Sequence, residues 1–450
     1  MSKNLQIQPR QDGSAGSGFP LCSKISAPDT FSRHILRRDR CVGTGLLQEA
    51  IKKAKAYYCL DCGKCTSVCP IALRNEAFIP RLLVKQAIME EEVIKNGLIW
   101  DCLTCKMCNE KCESGVQYAE FIRDIRIEAC KTGGVGICAH QGALQSIMRM
   151  MTTPELKQNR LNWVTNVKGK GGTPSPLRTL LPRDEGEVLY FVGCLPYFDA
   201  FFTDLALDTL QIAKDSIKIL NTLGIEPVLM PNERCCGHDL LWTGDVENFK
   251  KLSYLNIEQI KKTGCKKIIT SCPECYYTLK ESYPAYIGSM GVEVMHITEF
   301  LSQKLSAINF RTPNAEHRTP RTVTYQDPCR LGRFSGIYEE PREIIKHLGL
   351  ELVEMGKHSR NSICCGTSGW MNCSQYSKQI QIARLKEAKS TGASTLITGC
   401  PKCQIHFKCA IKGSGDTPPP LKTLLPREVE LSEEARIEIK DLISLVAGGE

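Results

Sequence analysis

The cysteine pattern between residues 188 and 403 occurs twice along the chain. Each copy contains two adjacent cysteines followed by glycine, in RCCG (234–237) and in ICCG (363–366). A disulfide between adjacent cysteines strains the peptide that joins them. Two thiolates side by side are better suited to metal ligation, and clustered cysteine in a reduced compartment indicates metal binding.

The residues around each pair follow the same order in both copies. A short apolar segment ends in cysteine, and a second one, after the pair, ends in Cys-Pro-x-Cys. Strands that alternate with helical patterns predict parallel sheets, which place their sites at the carboxyl ends of the strands. We therefore expect two pseudo-repeated, Rossmann-like α/β units that arose by duplication. The matching segments are VLYFVGC (188–194) with VTYQDPC (323–329), and KKIITSCPEC (266–275) with STLITGCPKC (394–403).

Two further cysteine runs precede the repeat, CLDCGKCTSVCP (59–70) and CLTCKMCNEKC (102–112). Both have the spacing C-x2-C-x2-C-x3-C of two-cluster ferredoxins, in which three cysteines hold one cubane cluster and the fourth ligates the other. Glu113 stands where proline is usual, which changes a turn but removes no ligand. Zinc is the alternative, yet its sites use two separated C-x2-C pairs. The pattern predicts two cubane [4Fe-4S] clusters, one on Cys59, Cys62, Cys65 and Cys112 and the other on Cys102, Cys105, Cys108 and Cys69.

Helical patterns surround these runs at 46–58, 80–97 and 119–131. In the last of them Phe121, Ile122, Ile125 and Ala129 recur at helical spacing. We therefore expect an α-helical ferredoxin domain.

Each repeat offers five cysteines, one more than a cubane or a tetrahedral zinc takes. An adjacent pair can supply one terminal and one bridging ligand, which would leave an iron open to a substrate. The two sets are Cys194, Cys235, Cys236, Cys272 and Cys275, and Cys329, Cys364, Cys365, Cys400 and Cys403.

The chain resembles the heterodisulfide reductase family, in the order of the family's C subunit fused to its B subunit, an arrangement that its D subunit also has. The resemblance covers roughly residues 46–412. It implies a noncubane [4Fe-4S] cluster on each five-cysteine set and a disulfide substrate bound between the two. The segments that carry it are IWDCLTCKMCNEKCESGVQ (99–117), CGHDLLWTGD (236–245), SCPECYYTLKESYP (271–284) and YQDPCRLGRFSGIYEEPREI (325–344).

The resemblance predicts the catalytic subunit of an oxidoreductase complex in anaerobic metabolism. Single electrons from a partner, such as a flavoprotein, a hydrogenase or formate dehydrogenase module or a membrane cytochrome, would pass through the cubanes to cleave a disulfide. That substrate is the coenzyme M–coenzyme B heterodisulfide or a related small-molecule or protein substrate. The alternative is an electron-transfer subunit of a flavin-dependent lactate, glycolate or glycerol-phosphate dehydrogenase, or of a membrane quinone or cytochrome complex. Without Gly-x-Gly-x-x-Gly after a strand, a flavin or nicotinamide is expected on another chain.

Composition and charge indicate which classes of partner the chain is expected to bind. The hydrophobic share is 42% and the charged share 24%, as in a globular protein. The formal charge of +9 comes from Lys and Arg mixed with Asp and Glu, so no nucleic-acid partner is expected. We expect no signal peptide and no transmembrane segment, and a cytoplasmic protein that reaches the membrane's inner face only through a partner.

Several residues near the cysteine sets allow two interpretations. His238 is a candidate proton donor for a departing thiolate, or it holds a loop. Arg330 and Arg333 attract an anionic substrate or balance cluster charge, or else they pair with Glu339 and Glu340. His406 is expected to be structural. No ligand role is assigned to Cys22, Cys41, Cys130, Cys138, Cys265, Cys373 or Cys409.

The pattern divides the chain into an N-terminal extension, a ferredoxin domain, a linker, two CCG domains and a tail. Proline-rich segments at 173–183 and 417–427 repeat each other and flank the two CCG domains. They serve as extended linkers, or they strap onto equivalent surfaces of the two units. The predicted boundaries are 1–45 for the N-terminal extension, 46–132 for the ferredoxin domain, 133–187 for the linker, 188–310 and 321–412 for the two cysteine-rich CCG domains, and 413–450 for the tail.

Overall fold

The computed structural model describes residues 44–89, 92–165, 185–307, 321–371, 373–412 and 435–448. Nearly all of the predicted N-terminal extension and both proline-rich repeats lie outside these ranges.

Helices build the region around the two four-cysteine runs. The predicted helix at 119–131 is confirmed, because Phe121, Ile122, Ile125 and Ala129 are fully buried on one helix. Short 3-10 turns lie at Ala56–Tyr58, Val93–Lys95 and Gly97–Trp100. The helices are α1 (Thr44–Lys53), α2 (Lys64–Val68), α3 (Pro80–Ile88), α4 (Met107–Glu110), α5 (Tyr118–Lys131), α6 (Ala143–Met150) and α7 (Asn162–Thr165).

The helix expected over 46–58 ends earlier than its pattern predicts. Lys55 has a φ of 55°, in the left-handed region that a side chain rarely adopts. The α-helix stops at Lys53, and a 3-10 turn over Ala56–Tyr58 leads into Cys59. The turn redirects the chain at the start of the first cysteine run.

The first lobe, residues 185–307, is built on a three-stranded parallel sheet. Its strands are β1 (Val188–Phe191), β2 (Lys267–Thr270) and β3 (Glu293–His296), in that order. Val188 aligns with Lys267, and Lys267 with Glu293. The helices are α8 (Leu195–Phe201), α9 (Thr209–Thr222), α10 (His238–Trp242), α11 (Val246–Thr263), α12 (Pro273–Tyr277), α13 (Tyr283–Ile287) and α14 (Ile297–Ser302).

The second lobe, described over residues 321–371, 373–412 and 435–448, contains four parallel strands. They are β4 (Thr322–Gln326), β5 (Glu351–Leu352), β6 (Thr395–Thr398) and β7 (Glu438–Asp441), in the order β5-β4-β6-β7. Val323 aligns with Leu352 on one side and with Thr395 on the other, and Thr395 aligns with Glu438. The helices are α15 (Glu339–His347), α16 (Gln375–Ser390), α17 (Pro401–Lys412) and α18 (Leu442–Val446).

Part of the predicted C-terminal tail belongs to the second sheet. β7 pairs with β6, and α18 packs against α9 of the first lobe. Side chains of both lobes meet in one apolar core, including Tyr190, Ile269, Tyr325, Ile397 and Ile443. Residues of β1, β2, β3, β4 and β6 are buried nearly throughout, because both faces of each sheet are covered. The tail therefore closes the core that the lobes share.

No helix within the described ranges is long and apolar enough to cross a membrane.

Replacing Ile443 by alanine tests this role of the tail. Ile443 is fully buried, so its truncation should lower the free energy of unfolding by about 2–5 kcal/mol. Leu445 on the same helix is only partly buried, and Leu445→Ala should cost less. Anaerobic chemical denaturation followed by circular dichroism measures both. Equal, negligible losses would show that the tail does not contribute to the core.

Candidate metal centres

The cysteines of both lobes lie where parallel strands end. Cys194 follows β1 and precedes α8, while Cys272 follows β2 and precedes α12. In the second lobe, Cys400 follows β6 immediately before α17. Because parallel strands end at one edge of a sheet, these cysteines converge with the adjacent pairs in the neighbouring loops.

The glycine after each adjacent pair has a structural reason. Gly237 has a φ of +83°, and a Cβ there would lie 2.7 Å from the Phe249 ring. Gly366 has a φ of +84°, and a Cβ there would lie 2.8 Å from the Ser377 carbonyl. Only glycine fits a left-handed turn with so little space. The turn directs both sulfurs of each pair inward.

The five first-lobe cysteines line one cavity. Cys235 hydrogen-bonds Cys194 and Cys236, and Cys275 hydrogen-bonds Cys236 and Cys272. The Sγ atoms of Cys275 and Cys236 are 3.5 Å apart. The five thiols thus form a continuous series of contacts.

The second-lobe cysteines form a matching series. Cys364 hydrogen-bonds Cys329 and Cys365, and Cys403 hydrogen-bonds Cys365 and Cys400. His406 Nδ1 lies 3.3 Å from Cys365 Sγ. The histidine expected to be structural therefore contacts a predicted ligand.

The second-lobe series extends into the second four-cysteine run. Cys105 hydrogen-bonds Cys364, and this bond lowers the pKa of the Cys105 thiol to about 6 despite its burial, with the nearby Arg333 as a further cause. Cys105 also lines a cavity with Cys69, Cys102 and Cys108. These are the four cysteines that the sequence groups on one cluster.

The first four-cysteine run lies nearer the surface. Cys65 lies within electrostatic range of Cys59 and Cys112, while Cys62 is exposed. The backbone turns in the same way in both runs: Gly63 and its counterpart Lys106 each have a positive φ. Lys106 accepts this conformation where the first run uses glycine, so the same loop recurs despite the different residue.

The donor set fits iron–sulfur clusters. All cysteines within the described ranges are free thiols. Soft thiolates that line one cavity suit a [4Fe-4S] cluster, and a five-thiol set exceeds what tetrahedral zinc takes.

A buried ionic cluster joins the two lobes beside the first-lobe cavity. Lys402 Nζ lies 2.5 Å from an Asp239 oxygen and 2.7 Å from a Glu274 oxygen. Glu274 is the variable residue of Cys-Pro-x-Cys in the first lobe, and Lys402 is its counterpart in the second. The repeats differ at this position by opposite charges that pair with each other, which the single sequence did not indicate.

His238 uses both ring nitrogens within this cluster. Arg330 Nε donates to His238 Nε2 at 3.0 Å, so the ring proton is on Nδ1. Nδ1 lies 3.2 Å from Asp239 and 3.4 Å from Glu274. Burial lowers the pKa of His238, which favours the neutral ring. The candidate proton donor therefore holds its proton against two carboxylates.

Arg330 and Arg333 do not pair with Glu339 and Glu340, so that expected alternative is wrong. Arg330 donates to the Thr104 carbonyl at 2.5 Å, and Arg333 to the Cys105 carbonyl at 2.6 Å. The second cysteine run attracts both guanidinium groups because its turn leaves these carbonyls without helical partners.

Arg126 and Glu233 have comparable roles that the sequence did not reveal. Buried Arg126 donates to the carbonyls of Cys102 and Trp242, which ties the second run to the first lobe. Glu233 accepts the Gly193 N–H at 2.8 Å beside Cys194 and pairs with Arg160 at 2.6 Å. Burial raises the pKa of Glu233 to about 7, although Arg160 opposes this effect.

The cysteines to which the sequence assigns no ligand role make other contacts. Cys130 donates to the Thr243 carbonyl, and Cys409 accepts from Lys378. Cys265 is buried in the apolar core of the first lobe. Cys22 and Cys41 lie outside the described residues.

Family models match most of the cysteine-bearing chain. Residues 55–116 match the 4Fe-4S dicluster domain, and residues 188–280 and 323–408 each match the cysteine-rich domain CCG.

Several known proteins are similar to the chain. The D subunit of dihydromethanophenazine:CoB–CoM heterodisulfide reductase from Methanosarcina acetivorans is 31% identical over 345 residues, 74% of each chain. The B subunit of fumarate reductase (CoM/CoB) from Methanothermobacter marburgensis is 27% identical over 80% of this chain and 58% of its own length. EtfAB:quinone oxidoreductase of Syntrophomonas wolfei is 30% identical over 52% of this chain and 33% of its own length.

Removing the Lys402 charge tests the ionic cluster between the lobes. Lys402→Met leaves Asp239 and Glu274 buried without their cation, which should cost about 3–5 kcal/mol of unfolding free energy. Lys408 on the same helix is more exposed and contacts a carbonyl. Lys408→Met should therefore cost little. Anaerobic denaturant titration of both variants measures the difference, and equal stabilities would contradict the role of Lys402.

Proposed function

The chain belongs to the family of heterodisulfide reductase D subunits, and from this premise we propose that it is the subunit of an iron–sulfur oxidoreductase that reductively cleaves a disulfide. The relatives of this family are heterodisulfide and fumarate reductase subunits, so the oxidoreductase class is established. The proposed substrate is the coenzyme M–coenzyme B heterodisulfide or a related compound with a sulfur–sulfur bond.

One observation carries the proposal. Both five-cysteine sets are complete, and Pro401 and Lys402, which lie between Cys400 and Cys403 of the second set, line the cavity of the first. A chain that only conducts electrons needs no second open-sided set beside the first. Two such sets in one place suit a substrate with two sulfurs.

We propose noncubane clusters on the two five-cysteine sets and cubanes on the sets Cys59–Cys62–Cys65–Cys112 and Cys102–Cys105–Cys108–Cys69. Iron–sulfur clusters supply one-electron transfer that no side chain offers. The protein holds the thiolates, keeps them from water and supplies compensating charge. Arg330 and Arg333 are buried and make no ion pair with a carboxylate among the described residues, so their charge remains to balance thiolates.

The proposal does not depend on His238 as a proton donor, because protein groups engage both of its ring nitrogens. Its position does give it a second use. It joins Arg330, which holds the second cysteine run, to Asp239 and Glu274 at the first-lobe cavity.

We further propose that the two lobes are copies of one Rossmann-like unit with domain limits near 188–310 and 321–412. Matches of both to one family model support this. The strand order of the two sheets also supports it. In the first lobe, Leu189 of β1 forms a parallel bridge with Val228, and in the second lobe β4 pairs in parallel with β5 at the corresponding edge.

A second candidate is an electron-transfer subunit of a flavin-linked or quinone-linked complex. The similarity to a protein named EtfAB:quinone oxidoreductase favours it, although that alignment covers a third of the relative's length.

Electron paramagnetic resonance distinguishes the two candidates. Protein purified anaerobically and oxidised should give a paramagnetic signal that depends on an added thiol such as coenzyme M. The signal's absence, together with tight copurification of a flavoprotein dehydrogenase, would favour the electron-transfer subunit.

Single cysteine variants test the proposed ligands. Cys236→Ala and Cys365→Ala should each lower iron and sulfide content by about a quarter, because one of the proposed clusters loses ligands. Cys265→Ala removes a buried thiol of the first lobe that is not one of the proposed ligands, and should leave the content unchanged. Metal analysis and disulfide reduction with a chemical reductant measure the effect. Unchanged content in all three variants would contradict the ligand assignment.

A further inference from the structure

The loop that carries the first cysteine run exposes large apolar side chains. Tyr57, Tyr58 and Leu60 are 53%, 67% and 74% exposed. They adjoin Cys62, an exposed thiol. Apolar side chains exposed together mark interaction sites, and tyrosine is enriched at the centres of protein interfaces.

Basic side chains surround this loop. Arg81 pairs with Asp61 at 2.6 Å, which brings α3 and its Lys85 beside the loop. Lys52 and Lys55 precede the loop on and just after α1. These three lysines make no ion pair with any carboxylate in the described ranges, whereas Lys53 is paired with Glu49. The apolar centre thus has a positive rim.

A series of neighbouring thiols leads inward from this loop. Cys69 lies within electrostatic range of Cys102 and Cys105, and Cys105 contacts Cys364. Lys402, between Cys400 and Cys403, in turn lines the first-lobe cavity together with Cys272. Among the described cysteines, only Cys62 is exposed. The surface around Cys62 is therefore where this series meets solvent.

We propose that the surface formed by Lys52, Lys55, Tyr57, Tyr58, Leu60 and Lys85, the entry surface, docks a one-electron donor protein that has an acidic rim around its redox centre. The inference rests on the proposed function, in which single electrons enter from a partner. Each docking event moves one electron, so that the partner is oxidised by one electron and this protein is reduced by one. No bond forms or breaks. Opposite charges on the two rims accelerate association, and the apolar centre holds the complex.

Stopped-flow reduction of the full-length, cluster-containing protein tests the entry surface. The probe is a small acidic ferredoxin in its reduced form. Lys52→Glu/Lys55→Glu should slow reduction at low salt by about tenfold or more, and should flatten the dependence of the rate on ionic strength. Tyr58→Ala/Leu60→Ala should also slow reduction, with the salt dependence kept.

Matched controls are available on α11 of the first lobe. Tyr254 is 53% exposed, as Tyr57 is, and Lys261 and Lys262 are exposed near the end of that helix. Tyr254→Ala and Lys261→Glu/Lys262→Glu should leave the rate unchanged. Reduction by dithionite should give the same final paramagnetic spectrum in every variant, which shows that folding and cluster content are intact.

A photo-crosslinking residue in place of Tyr58 identifies what covers the surface. Crosslinks to the ferredoxin support the proposal. Crosslinks to residues 1–42 or to a second copy of the chain would overturn it, as would equal rates in entry-surface and control variants. Disulfide cleavage driven by dithionite separates the two levels of inference. If the wild type cleaves the disulfide with dithionite but the entry-surface variants are reduced by ferredoxin as fast as the controls, only the docking proposal fails. If the wild type does not cleave the disulfide with dithionite, the proposed function fails.

Discussion

Buried guanidinium groups hold the second cysteine run against both lobes. Arg126, Arg330 and Arg333 donate to carbonyls in or beside that run, and none forms an ion pair with a carboxylate among the described residues. An unpaired buried charge costs several kcal/mol unless an opposite charge lies nearby. Under the proposed function, the thiolates of bound clusters would supply negative charge beside these arginines. The same arginines would then couple cluster binding to domain packing, because their hydrogen bonds tie the second run to the lobes.

Both lobes carry cysteines at the ends of parallel strands, but they surround these cysteines with different charges. Carboxylates of Asp239, Glu274 and Glu233 lie at the first-lobe set. Arg330 and Arg333 lie at the second, within electrostatic range of Cys329. Lys402 crosses from the second lobe and neutralises part of the first. A substrate placed between the sets therefore meets unequal surroundings on its two sides.

The placement of the cysteines at the ends of parallel strands was predictable, because the signals for it are local. A fixed spacing places thiols around one loop, and an apolar strand that ends in cysteine directs it to the sheet edge. The contacts between domains were not predictable. The Lys402–Glu274 pair joins residues of opposite lobes, and Arg126 binds carbonyls, which carry no sequence signature. β7 also escaped prediction, since EIKD is short and polar, and only its pairing with β6 makes it a strand.

The most direct test is anomalous diffraction at the iron edge from crystals of protein that was purified without oxygen. We expect iron density at both four-cysteine sets and at both five-cysteine sets, with the first-lobe and second-lobe peaks on opposite sides of Lys402. Iron confined to the four-cysteine sets, with ordered but metal-free thiols in the lobes, would contradict it.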